Sequence, residues 1–98
     1  MKEASVVEKV REIVSRHTLP DFIIGLDVRL GDIDGDPTMW LIFKTTQGPK
    51  SWSPEAERRI DGITAVKEAL LPELITEFDD WFPYFRFESQ RELKSVAG

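Results

Sequence analysis

The chain contains no cysteine. That excludes a disulfide scaffold, thiolate zinc sites, iron–sulfur clusters and thiol catalysis, and it fits a reducing cytoplasm. Histidine occurs once, as His17. One imidazole without a spaced partner is no metal motif, and nothing nominates a nucleophile or paired acid to work with it. No apolar run approaches the roughly 20 residues that cross a bilayer. The opening segment MKEASVVEKV has no apolar signal core, so a soluble, unexported protein is expected. Gly31, Gly35 and Gly48 stand too far apart for a phosphate loop. No nucleophile elbow or Ser-His-Asp order appears. These absences leave no catalytic residue and no cofactor to name, and they favour a binding protein over an enzyme.

Positive charge is missing from one stretch. The 98 residues carry a net charge of −5, and residues 72–82 hold Glu73, Glu77, Asp79 and Asp80 without a lysine or arginine. Such a balance gives no long-range pull toward nucleic acid or anionic lipid; a basic protein partner or a cation suits it better. The length suits a single domain, 1–98, and the 41% hydrophobic and 32% charged fractions suit a globular fold.

What is present is patterned. From Ser5 to His17, Val6, Val10, Ile13, Val14 and His17 fall on one helical face. Ser5 and Glu8 make a capping-box pair, so a helix is expected over Val6–His17, ended by Leu19-Pro20. Phe22, Ile24, Leu26, Val28 and Leu30 then alternate, which places all five on one face of a strand with Asp27 and Arg29 on the other. Asp34-Gly35 is hairpin chemistry, so residues 22–45 read as a hairpin with strands near 22–30 and 38–45. In the second strand Met39, Leu41 and Phe43 point one way, and Trp40 and Ile42 the other. A strand apolar on both faces needs cover on both.

Ser53-Pro54-Glu55 opens a second helix: serine cap, proline at the first helical position, acid in the first turn. Ala56, Ile60, Ile63, Val66, Leu70 and Leu74 mark its buried stripe. Pro72 removes a hydrogen bond and clashes one turn back, so a kink is expected, or a break into helices 54–71 and 72–81 closed by Pro83. Residues 84–88 alternate as a third strand with Phe85 and Phe87 inward, and the tail Ser89–Gly98 offers at most a helical turn. The expected class is α+β, in the order α-β-β-α-α-β, with a small three-stranded sheet and its helices on one face.

Three constellations invite a functional reading. Asp32, Asp34 and Asp36 alternate in the hairpin turn and supply hard oxygen donors. They fail the EF-hand pattern. With Asp32 first, the glycine and bidentate-glutamate positions fall on Pro37 and Phe43; matching Asp34-Gly35 instead starts the loop on Leu30 and ends it on Leu41. Ordinary turn chemistry explains these aspartates as well. Asp79 and Asp80, read as a final helical turn, oppose the helix dipole, and with Phe78, Trp81 and Phe82 they mix acid with aromatics as partner-docking helices do. Trp52 precedes the cap of the second helix, and Glu57 stands where a hydrophobic staple needs an apolar residue. Trp52 either folds onto the sheet or is an exposed anchor.

The element order, closing on Pro83-Tyr84-Phe85-Arg86-Phe87-Glu88, resembles the KH-like fold of ribosome-binding factor A. The resemblance implies RNA contact. This chain departs from that family in lacking a basic surface and a Gly-x-x-Gly backbone clamp. The segment GLDVRLGDIDGDPTMWLIF is also similar to short bacterial proteins with a strand, a Gly-Asp-Pro turn and a strand. The residues themselves point to a non-catalytic protein–protein interaction or adaptor module. It would be a homodimer, with Trp40, Ile42, Trp52, Asp79, Asp80 and Trp81 at partner contacts and Ile23 and Tyr84 on the outer face of the sheet. The alternative is an RNA- or ribosome-associated KH-like domain, which needs Arg11, Arg16, Arg58, Arg59 and Lys67 on one surface.

Overall fold

A computed structural model describes residues 3–49 and 51–89. Five elements follow one another: α1 (Glu3–Ser15), β1 (Ile23–Ile33), β2 (Asp36–Thr45), α2 (Pro54–Glu77) and β3 (Phe82–Ser89). The sheet order is β1-β2-β3. β1 and β2 are antiparallel, whereas β3 runs parallel to β2. Parallel neighbours need a crossover, and α2 is that crossover. The class is α+β, but with one second helix instead of two. Residues 90–98, where a helical turn is suggested by sequence, lie outside the described residues.

The hairpin forms where its chemistry says it should. Asp34 and Gly35 both take positive φ, 52° and 88°. That is the two-residue turn whose twist matches antiparallel strands, and Asp-Gly tolerates it best. Ile33 pairs with Asp36 across it, and the Gly35 amide donates to Asp32 Oδ2 at 3.2 Å.

The inner face of the sheet carries the core. Met39, Leu41 and Phe43 of β2 are fully buried beneath Val6 and Val10 of α1 and Leu70 and Leu74 of α2. Burying each such side chain contributes about 1.5–3 kcal/mol. Phe85 and Phe87 of β3 stack on Phe43, with ring centroids 6.4 and 5.1 Å away.

Several expectations need correction. A bulge lies between Ile23 and Gly25 in β1. The extra residue, Ile24, is exposed, and Ile23 packs on the core instead of facing outward. A bulge inserts one residue and so reverses the alternation on one side of it. The helix α1 already includes Glu3, which places Ser5 inside it and removes the capping box. It ends at Ser15, with the Arg16 and His17 amides donating to Ile13 and Val14 in a tightened last turn. α2 runs through Pro72 without a break. Pro72 and Glu68, the residue whose carbonyl loses its donor, are both exposed, so water can serve that carbonyl. α2 stops at Glu77, capped by the Phe78 amide on the Leu74 carbonyl, so Asp79 and Asp80 sit in the following turn and oppose no helix dipole. Ile60 is exposed; the buried stripe is Val66, Leu70 and Leu74. Pro83 lies inside β3, opposite Met39. An edge strand tolerates a residue without an N–H. The Ser53 cap stands as expected, its Oγ accepting from the Ala56 amide at 3.1 Å.

Candidate interaction surface

Both helices contribute to the core on one side of the sheet, so the other side is read directly from the strand register. Down its centre run Thr38, Trp40, Ile42 and Lys44 of β2. On the β1 side they pair with Gly31, Arg29, Asp27 and Gly25, and on the β3 side with Phe82, Tyr84, Arg86 and Glu88. Cross-strand partners share a face, so these twelve positions, with Ile33 at the hairpin end, form one helix-free surface.

The surface divides along the strands. Toward the hairpin it is apolar and open: Ile33, Phe82 and Tyr84 are 41%, 52% and 44% exposed. Phe82 and Tyr84 meet edge to face at 5.1 Å. Trp40 is half-buried because its indole lies across the next strand; a Cβ on Gly31 would stand 2.9 Å from Trp40 Cζ3. Glycine at that position is what lets the ring lie flat. Toward the other end the surface is salt-bridged. Arg29 holds Asp27 at 3.0 Å, and Glu88 receives Lys44 at 2.8 Å and Arg86 at 3.0 Å. The hydrogen bond from Lys44, opposed by burial and aided by the charges of Lys44, Arg86 and Arg29, holds the Glu88 carboxyl below the usual glutamate range. Ile42 lies among these groups and is only 7% exposed. Among the described residues no helix covers it; its cross-strand partners are Asp27 and Arg86.

The positions singled out by sequence separate into groups. Trp40, Ile42 and Tyr84 share the helix-free surface. Trp52 is 72% exposed on the loop entering α2, beyond the opposite end of β2 from the hairpin. The two acidic segments, far apart in sequence, come together. Asp36 and Pro37 of the hairpin line one cleft of about 340 Å³ with Asp79, Asp80, Trp81 and Phe82. A second cleft of about 390 Å³ is lined by Ile33, Asp34, Asp36, Thr38, Phe82 and Tyr84. The clefts share Asp36 and Phe82. Among the described residues no group of three or more acids, histidines or cysteines is arranged to hold a metal ion; of the three hairpin aspartates, Asp32 accepts from the Gly35 amide. Ile33 and Phe82 were missed by sequence reading. The alternation of Phe82 with Tyr84 signals the second of them, but Pro83 between them reads as a helix stop.

His17 is occupied elsewhere: its Nε2 lies 2.5 Å from Glu73 Oε2 and ties the end of α1 to α2. Arg16 donates to Glu12 at 2.6 Å, a hydrogen bond that heads the causes lowering the Glu12 pKa. Arg59 donates to Thr46 and stacks 4.5 Å over Phe22, and Lys67 sits 5.9 Å over Phe87. Among the described residues no helix is long and apolar enough to cross a membrane. No protein-family model, curated protein or solved structure matches the chain.

Proposed function

We propose that this chain is a non-catalytic protein–protein interaction module that self-associates through the helix-free face of its sheet. The observation that carries this reading is the exposed apolar patch of Ile33, Phe82 and Tyr84, with half-buried Trp40 beside it, on a face that no helix among the described residues covers. Contiguous exposed apolar surface marks association sites, and a sheet face is readily covered by a second sheet about 10 Å away. Two copies stacked this way form four layers, helices outermost. Sedimentation equilibrium over a concentration series tests it. Dimerisation is expected for the native chain, with at least tenfold weaker association for Tyr84→Lys at unchanged circular dichroism. A monomer at the highest concentrations removes self-association.

The KH-like reading has one observation in its favour. Unpaired bases stack on aromatic side chains, and Trp40, Phe82 and Tyr84 share a surface that also carries Arg29, Lys44 and Arg86. Those three cations are each held by a carboxylate of the same face, which favours the protein reading. Binding of a single-stranded RNA homopolymer that weakens steeply with salt supports the RNA reading; no binding at low salt removes it.

A further inference from the structure

We infer that the hairpin end of the helix-free face docks a partner protein segment carrying arginine or lysine among apolar side chains. This rests on the interaction-module reading and adds to it the chemistry of the partner. Two observations meet at this end of the sheet. The first is the open apolar floor of Ile33, Phe82 and Tyr84 with its two adjoining clefts. The second is the charge around that floor. Neither the segment from Leu30 to Phe43 nor that from Pro72 to Phe85 contains a lysine or arginine. The fold brings the tips of both segments together, with Asp34 and Asp36 from one and Asp79 and Asp80 from the other lining the two clefts; Asp32, on the other face of β1, accepts from the Gly35 amide. Every ion pair among the described residues leaves these four cleft aspartates out.

The contrast with the rest of the face decides the occupant. At the far end each charged side chain has an opposite partner within the chain, so that end offers no net demand. At the hairpin end Asp34, Asp36, Asp79 and Asp80 are exposed and make no ion pair among the described residues, beside the exposed rings of Phe82 and Tyr84. Such a potential attracts cations over about a Debye length and repels acidic partners. Phe82 and Tyr84, in edge-to-face contact and about half exposed, can pair with a guanidinium or ammonium group, and the surface from them to Ile33 receives apolar side chains. A second copy laid on this end in the same sense brings four more aspartates. The copy-to-copy contact is therefore weakest at the hairpin tip, and because both occupants use Tyr84, a cationic segment and a second copy compete for this face.

The probe is a capped peptide of alternating arginine and leucine, with a glutamate–leucine peptide as control. Binding is followed on the full chain by amide chemical shifts and by titration. Saturable shifts centred on Ile33, Thr38, Phe82 and Tyr84 are expected, weakening about tenfold or more as salt rises from low to physiological strength. The variant carrying Asp34→Asn, Asp36→Asn, Asp79→Asn and Asp80→Asn changes only exposed side chains and loses at least tenfold in affinity. Phe82→Ser weakens binding at every salt concentration. Equal binding of the glutamate peptide, shifts centred elsewhere, or full affinity in the aspartate variant overturns the inference. If affinity survives the aspartate changes but falls in Phe82→Ser, the interaction surface stands and the cationic partner falls. If the native chain is also monomeric and indifferent to Tyr84→Lys, the broader reading falls with it.

Discussion

Single residues set how the helix-free face is built. Gly31 matters for space, not for φ. Its missing Cβ is what lets the Trp40 indole lie across β1, and Gly31→Ala would set a Cβ 2.9 Å from Cζ3 of that ring, so the indole must shift. Overpacking of this kind costs about 1–3 kcal/mol. Denaturant unfolding is expected to show that loss, together with a changed tryptophan emission as the ring is displaced. Ser53 acts at the other end of the molecule. Its Oγ satisfies the Ala56 amide, and Ser53→Ala is expected to cost about 1 kcal/mol in the same measurement. The cap was legible because Ser-Pro-Glu is a local signal. The Trp40–Gly31 contact was not, because the partners meet only through strand pairing.

At the scale of elements, Pro72 is the informative case. A proline inside a helix costs roughly 3 kcal/mol relative to alanine, yet α2 continues through it to Glu77. The burial of Leu70 and Leu74 on either side of it holds the helix against the core. Pro72→Ala restores the missing donor on an exposed side and is expected to raise stability by about 1–3 kcal/mol. Unchanged or lower stability would mean that the proline is compensated in some further way. The link between β2 and β3 behaves oppositely with pH. Lys44 and Arg86 hold the Glu88 carboxyl below its ordinary range in the folded chain. A lowered folded-state value means this contribution is complete above the ordinary glutamate pKa and is lost as pH falls through the lowered one. Glu88→Gln is therefore expected to be less stable than the native chain at neutral pH and to converge with it in acid. Parallel stability curves across that range would rule the linkage out.

The whole molecule is a sheet with an occupied side and an open one. Phe43 lies at the centre of the occupied side, stacked on Phe85 and Phe87 and wholly buried. Phe43→Ala is expected to cost about 3–5 kcal/mol, enough to unfold a domain of this size in mild denaturant. The open side has a polarity along the strands, salt-bridged at one end and acidic with aromatics at the other. That polarity is a property of the assembled fold. It places Asp36 of the hairpin in one cleft with Asp79, Asp80 and Phe82.

Sequence alone determined the class and most of the elements. Period-two and helical spacing report which residues one face must bury, and Asp-Gly and Ser-Pro are local conformational signals. That is why β2, the hairpin turn, the α2 cap and the inward Phe85 and Phe87 were legible. Tertiary structure decided three matters that depend on distant partners. The bulge at Ile24 arises only when β1 pairs with Lys44 and Thr45 of β2. Continuity through Pro72 follows from core contacts on both sides of it. The meeting of two acidic tips depends on α2 returning the chain parallel to β2. Local preferences act over one or two turns of chain, whereas register, crossover and shared surfaces depend on residues that are neighbours only after folding.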